Sequence, residues 1–152
     1  MAASDPEKLT SVLLSAEGSI GRAMFLCEDA ERYNAEKDLV YALLDALTAP
    51  AAAGLGLLCD ALPTASDALC ELLDMLKRAC RDIAVLQKAP GCAPLFFEST
   101  ERAEAYTMKM TVAKAISLID AADRLLADLR LNMDTRLAAA TLIGDMRAIM
   151  IN

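Results

Sequence analysis

The sequence predicts an all-α protein that folds as an antiparallel four-helix bundle. Its 152 residues are 56% hydrophobic but only 4% aromatic, and alanine and leucine, both strong helix formers, are frequent. Apolar residues recur at three- and four-residue spacing through most of the chain, which is typical of amphipathic helices. No segment alternates β-branched and polar residues as a half-buried strand does. A chain of this length can bury one core, so we expect residues 1–152 to form a single domain.

The first predicted helix begins near Asp5 and continues to about Thr48. Ser4 and Glu7 form an S-x-x-E capping box at its start. Its apolar stripe consists of Leu9, Val12, Leu13, Ala16, Ile20, Met24, Cys27, Leu39, Leu43, Leu44 and Leu47.

Residues 49–63 are rich in alanine, glycine and proline and predict a connection. They include four leucines that are too apolar to lie in water, namely Leu55, Leu57, Leu58 and Leu62. We therefore expect this first connection to pack on the bundle, and it has room for a short extra helix.

The second predicted helix covers residues 65–89. Thr64 or Ser66 supplies its N-cap, and the Pro90-Gly91 pair ends it. Its apolar stripe consists of Leu69, Leu72, Leu73, Leu76, Cys80, Ile83 and Leu86.

Phe96 and Phe97 follow in a loop, where we expect them to fill one end of the core. Ser99 caps a third predicted helix, and Asp134 caps a fourth. The stripe of the third helix steps by four and three residues, as bundle positions do; it comprises Met108, Val112, Ala115, Ile119, Ala122, Leu126 and Leu129. The fourth helix carries Leu137, Thr141, Met146 and Ile149.

The formal charge of -7 and the pI near 4.6 argue against nucleic acid as a partner, because such binding depends on Lys and Arg neutralising phosphates. The longest run of apolar and glycine residues, 49–59, is far shorter than the roughly 20 residues that span a bilayer. No positive region followed by an apolar stretch opens the chain, so we expect no secretory signal. These features predict a soluble, cytoplasmic protein.

The chain has no histidine, the commonest general base and metal ligand. A cysteine nucleophile would lack an imidazole partner, and no C-x-x-C pair exists for a zinc site. Carboxylates three residues apart, such as Asp120 and Asp123, are most simply a solvated helix face. We therefore expect no catalytic residue, no metal site and no cofactor, in a protein that is not an enzyme.

Five cysteines form an odd set without a tight spacing pattern: Cys27, Cys59, Cys70, Cys80 and Cys92. This usage is typical of reduced thiols in the cytosol rather than of a disulfide framework. Because free cysteine is among the most buried residue types, we expect buried, unreactive thiols.

Four basic residues near the end of the second predicted helix are a candidate lipid- or partner-binding site: Lys77, Arg78, Arg81 and Lys88. A basic residue near an anionic lipid surface contributes about 1 kcal/mol to binding. The simpler interpretation, which the spacing favours, is that these charges compensate the helix dipole and pair with Asp74 and Asp82.

Three segments carry a family resemblance: ALCELLDMLKRACRDIAVL at 68–86, PLFFES at 94–99 and LNMDTRLAAATLIGDMRAI at 131–149. Together with the long first helix, they resemble the N-terminal four-helix domain of the mixed lineage kinase domain-like proteins, a group related to fungal HeLo and plant mildew-resistance helical domains. The best local match is the turn of Asn132, Met133 and Asp134, with Asp145 and Met146 downstream. The first helix departs from the family pattern, because it lacks the asparagine and cysteine run.

The resemblance implies a cell-death or immune-signalling domain that self-associates through its helices. It also implies that the domain engages anionic membranes on activation, through Lys77, Arg78 and Arg81. The alternative, from another functional class, is an adaptor or structural bundle that binds a partner helix in a groove without touching lipid. A viral Bcl-2-like regulator is one version of that alternative.

Overall fold

The computed structural model describes residues 30–50 and 54–151, and no strand occurs among them. The predicted all-α class is therefore confirmed for this part of the chain. Its six helices are α1 Ala30–Thr48, α2 Leu55–Leu58, α3 Ser66–Leu86, α4 Thr100–Thr107, α5 Val112–Arg130 and α6 Thr135–Ile151. The predicted capping box of Ser4 and Glu7, and the stripe from Leu9 to Cys27, lie outside the described residues.

Backbone contacts divide the chain into two compact units, Met1–Glu36 and Lys37–Asn152. The second unit holds residues 37–48 of α1 together with the other five helices. In this part of α1 the predicted stripe is largely confirmed, because Leu43, Leu44 and Leu47 are buried and Leu39 is half-buried. The single-domain interpretation stays a prediction.

The first connection contains the expected short helix, α2, followed by a 3-10 turn at Cys59–Ala61. Leu55 and Leu62 are buried and Leu58 is half-buried, so the connection packs as expected at these positions. Leu57 is 84% exposed, and its predicted packing is wrong. A helix of only four residues can bury the side chains on just one of its faces.

Helix α3 buries the whole predicted stripe, from Leu69 to Leu86. The predicted N-cap is wrong, because α3 begins after Ala65, which has no side-chain oxygen to accept a hydrogen bond. The helix ends at Leu86, three residues before the predicted end. There the side-chain amide of Gln87 donates to the carbonyl of Met110 at 2.8 Å.

A break divides the predicted third helix into α4 and α5. Ser99 caps α4 as predicted, and its hydroxyl accepts the N–H of Arg102 at 3.3 Å. Helix α4 stops at Thr107, and α5 starts after Thr111, whose hydroxyl accepts the N–H of Lys114 at 3.3 Å. The N-cap at Thr111 starts a new helix within a segment whose apolar spacing, taken alone, predicts one continuous helix.

The predicted stripe of α5 is right in its second half and wrong at its start. Ala115, Ala122, Leu126 and Leu129 are buried, as predicted. Met108 lies in the break before α5 and is 88% exposed. Ile119 is only half-buried. The buried face of α5 is rotated away from Ile119 and also includes Leu118, Ala121 and Leu125, which the predicted stripe left out.

Helix α6 begins as predicted, since the carboxylate of Asp134 accepts the N–H groups of Arg136 and Leu137 at 3.0 Å each. Met146 is buried. The predicted stripe is otherwise displaced by one residue, which rotates it by about 100° around the helix axis. Leu137 and Thr141 are exposed, Ile149 is half-buried, and the buried positions are Ala138, Ala139, Leu142 and Ile143.

Among the long helices, α5 packs against both α3 and α6. The Gln87 bond joins the end of α3 to the start of α5, whereas Lys77, which lies earlier on α3, contacts Asp123, which lies later on α5. These two contacts make α3 and α5 antiparallel. The ammonium of Lys114 donates to the carbonyl of Met150 at 2.7 Å, which makes α5 and α6 antiparallel as well.

Candidate functional site

The loop between α3 and α4 is anchored by a buried carboxylate. Asp82 on α3 is 1% exposed, and its Oδ2 accepts the N–H groups of Leu95 at 2.8 Å and Phe96 at 2.7 Å. Its Oδ1 accepts from the Arg81 guanidinium at 3.0 Å. A charge buried this deeply needs such partners, so this cluster is structural.

The anchored loop carries the two phenylalanines into an aromatic cluster, which confirms their predicted burial. The rings of Tyr41, Phe96, Phe97 and Tyr106 have neighbouring centroids 5.2 to 6.0 Å apart. The guanidinium of Arg102 lies 3.8 Å from the centroid of the Tyr41 ring. These contacts join α1 to the loop and to α4.

Two polar contacts close the edges of the aromatic cluster. The Tyr106 hydroxyl donates to Asp45 at 2.7 Å, and the Lys37 ammonium lies 3.1 Å from Glu98. Hydrogen bonding and charge from Lys37 lower the pKa of Glu98. Burial, followed by the bond to Asp45, raises the pKa of Tyr106 above its usual value.

The structure places acidic side chains beside members of the predicted basic site. Lys77 pairs with Asp74 at 3.7 Å and also with Asp123, and Arg81 pairs with Asp82. The partners expected under the simpler interpretation are therefore both present. Arg78 is half-buried, whereas Lys88 is exposed and its side chain makes no hydrogen bond or ion pair with another described residue.

The end of α3 has a neighbour that the spacing of α3 did not reveal. Because Gln87 bonds to Met110, the end of α3 lies beside the turn between α4 and α5. This turn carries Met108, the most exposed large hydrophobic side chain in the described part of the chain, and the exposed Lys109. We call Lys88, Met108 and Lys109 the turn surface.

A groove lies near the other end of α3. It has a cavity volume of about 350 Å³ and is lined by Cys59, Asp60, Leu62, Pro63, Thr64, Thr135, Arg136 and Ala139. The first five residues come from the 3-10 turn and the chain that follows it, and the last three come from the start of α6. The volume falls within the roughly 300–1,000 Å³ of ligand pockets.

The thiols that the structure describes are free, as predicted, but their predicted burial is only partly right. Cys80 is buried, and burial raises the pKa of its thiol to about 12. Cys59 and Cys70 are half-buried, and Cys92 is exposed in the loop after α3. Cys27 lies outside the described residues. Cys80 belongs to the predicted apolar stripe of α3, and its burial is confirmed. The burial of Cys92 was predicted only from the general tendency of free cysteines to be buried, and it is wrong.

Among the residues described, no group of three or more cysteine or acidic side chains is arranged to hold a metal ion. In the same residues, no helix combines the length and the apolar character needed to cross a bilayer.

Comparisons with known proteins give no relative for this chain. No protein-family model matches it, and neither a curated protein nor a solved structure is significantly similar to it.

Proposed function

We propose that this chain is a non-enzymatic helical signalling module that docks on anionic membrane surfaces. The lack of any histidine supports a non-enzymatic role. The assignment to cell-death or immune signalling rests on the resemblance to the mixed lineage kinase domain-like proteins alone. The membrane step rests on the candidate site of Lys77, Arg78, Arg81 and Lys88, extended to the turn surface.

The observation that carries the proposal is the chemistry of the turn surface. Met108 is 88% exposed, and burying a methionine side chain contributes about 1.5–3 kcal/mol. Lys109 follows it in the chain, and Lys88 follows Gln87, whose side chain bonds to Met110. Each lysine adds about 1 kcal/mol at an anionic surface. Lys77 and Arg81 contribute less, because their ion pairs with Asp74, Asp123 and Asp82 already neutralise them.

Acidic groups oppose this docking. The formal charge of the chain is -7, and the exposed Glu104 lies one helical turn before Met108. We therefore expect weak binding that decreases steeply with salt, because charge screening shortens to about 8 Å at physiological ionic strength.

Cosedimentation with vesicles tests the proposal. The protein should pellet with phosphatidylserine-containing vesicles at low salt and stay in solution with pure phosphatidylcholine vesicles. The double variant Lys88→Glu and Lys109→Glu should abolish pelleting, and Met108→Ser should reduce it several-fold. Both changes are on exposed side chains, so the far-UV circular dichroism spectrum should not change.

Two matched controls use the opposite end of α5. Leu131 is 80% exposed, so Leu131→Ser removes a comparable apolar group, and Arg124→Glu with Arg130→Glu reverses a comparable charge. Neither control should reduce pelleting. If folded wild-type protein fails to pellet at every salt concentration, the membrane role is wrong and the adaptor alternative is favoured.

We also propose that α1, α3, α5 and α6 form one antiparallel four-helix bundle that self-associates. The antiparallel packing of α3, α5 and α6 supports this arrangement, as does the burial of Val40, Leu43, Leu44 and Leu47 on α1. Sedimentation analysis with and without anionic vesicles tests the self-association, and a monomer under both conditions would contradict it.

A further inference from the structure

The groove beside α6 presents opposite charges on its two walls. Asp60 lies on the wall formed by the 3-10 turn, and Arg136 lies on the wall formed by the first turn of α6. The two side chains do not form an ion pair with each other. Within the described residues, neither has any other ion pair or side-chain hydrogen bond. The groove therefore holds one cationic and one anionic group that both remain available to a ligand.

Hydroxyl groups and an apolar floor complete the groove. Thr64 and Thr135 supply hydroxyls that make no hydrogen bond to another described residue. Leu62 and Ala139 are 4% and 5% exposed, and with Pro63 they give a floor that suits an aliphatic group. The backbone N–H groups of Arg136 and Leu137 are already bonded to Asp134. A bound anion would therefore contact the guanidinium rather than the helix terminus.

From this arrangement we propose that the groove binds a small zwitterion of the α-amino-acid type with an aliphatic side chain. The ligand carboxylate pairs with Arg136, whose planar guanidinium can bind both carboxylate oxygens. The ligand ammonium pairs with Asp60. The side chain of the ligand lies on Leu62, Pro63 and Ala139. A ligand with only one of the two charges leaves the opposite wall without a partner and binds more weakly.

Titration of the full chain with L-leucine, followed by amide chemical shifts in nuclear magnetic resonance, tests this site. Saturable shifts should appear at Leu62, Thr64, Thr135 and Ala139. 4-Methylpentanoate lacks the ammonium and 3-methylbutylamine lacks the carboxylate, so each should bind at least tenfold more weakly. Tenfold corresponds to about 1.4 kcal/mol, which is close to the contribution of one charge-assisted hydrogen bond.

Variants assign the effect to the two walls. Asp60→Asn and Arg136→Gln should each lower the L-leucine affinity at least tenfold, whereas Arg147→Gln, an exposed arginine later on α6, should leave it unchanged. The proposal fails if L-leucine gives no saturable shift, if the two single-charge analogues bind as well as L-leucine, or if Arg147→Gln weakens binding as much as Arg136→Gln. None of these outcomes bears on vesicle binding, because the turn surface shares no residue with the groove.

Discussion

At the scale of single residues, Asp82 is a buried carboxylate that anchors the loop between α3 and α4. Its carboxylate accepts two loop N–H groups and the Arg81 guanidinium. From the sequence, Asp82 was predicted only as an ion-pair partner for a nearby basic residue. Its two bonds to loop N–H groups were missed, because they join residues 13 and 14 positions apart in the chain. Spacing on one helix carries no information about contacts of that kind.

We expect Asp82→Ala to lower the free energy of unfolding by about 3 kcal/mol, because it leaves two loop N–H groups without an acceptor. Asp82→Asn keeps one amide oxygen and should lose less. The control is Asp74→Ala on the same helix, where a half-exposed ion pair contributes at most about 1 kcal/mol. Urea denaturation measures all three. Equal losses for Asp82→Ala and Asp74→Ala would mean that the buried carboxylate does not anchor the loop.

A second residue-scale prediction concerns Tyr106 at alkaline pH. Burial, followed by the bond to Asp45, raises the pKa of Tyr106 in the folded chain above its usual value of 10.0. The folded state thus holds the phenol proton more tightly than the unfolded state. The resulting stabilisation is complete below the unfolded pKa and is lost as the pH rises above it.

Urea denaturation between neutral pH and pH 11 should therefore show the wild-type free energy of unfolding decreasing above about pH 10. Tyr106→Phe should cost about 1 kcal/mol at neutral pH, through the lost hydrogen bond, and should decrease less steeply with pH. Asp45→Asn keeps an acceptor without its charge and should give an intermediate slope. Parallel profiles for wild type and Tyr106→Phe would exclude this role for Tyr106.

At the scale of elements, prediction succeeded where a helix buries one continuous face. Helix α3 packs against α4 and α5, and its stripe was predicted completely. Helix α6 has a buried face rich in alanine. The prediction chose the larger apolar side chain of Leu137 instead of Ala138 and was therefore displaced by one residue. The break before α5 was missed because Thr111 acts through its hydroxyl bond to Lys114, which hydrophobic spacing does not register.

The register of α5 can be tested with two adjacent residues. Leu118 is 1% exposed, so Leu118→Ala should cost about 2–5 kcal/mol, as a buried leucine does. Leu126→Ala should cost a similar amount. Ile119→Ala should cost about 1 kcal/mol, since part of its surface already meets solvent. Chemical denaturation measures the free energy of unfolding of the three variants. A larger loss for Ile119→Ala than for Leu118→Ala would support the helix register predicted from the sequence.

The start of α3 offers a stabilising substitution. Ala65 has the extended backbone of an N-cap residue, with φ −82° and ψ 132°, but no side-chain bond. Ala65→Ser should raise the free energy of unfolding by about 1 kcal/mol, by giving a first-turn N–H an acceptor. Ala65→Val lacks the oxygen and should give no gain. Thr64→Ala should change stability by less than about 0.5 kcal/mol, and a loss near 1 kcal/mol would make Thr64 the cap after all.

At the scale of the molecule, the two proposed surfaces lie near opposite ends of α3. Its 21 residues span about 30 Å at 1.5 Å per residue. The turn surface lies at the C-terminal end of the helix, and the groove begins with residues just before its N-terminal end. The sequence pointed to the basic residues along α3, but the exposed methionine and the groove depend on contacts between elements distant in the chain.

The Asp82 anchor also sets how fast the loop exchanges hydrogen with water. Leu95 and Phe96 belong to no helix, and loop amides ordinarily exchange rapidly because loops open at little cost in free energy. Their N–H groups are instead bonded to a carboxylate that is itself 1% exposed. In deuterated buffer these two amides should therefore exchange as slowly as amides in the interior of α3, whereas neighbouring amides such as that of Ala93 should exchange at once. The cooperative unit that contains α3 would then extend past the end of the helix and include part of a loop.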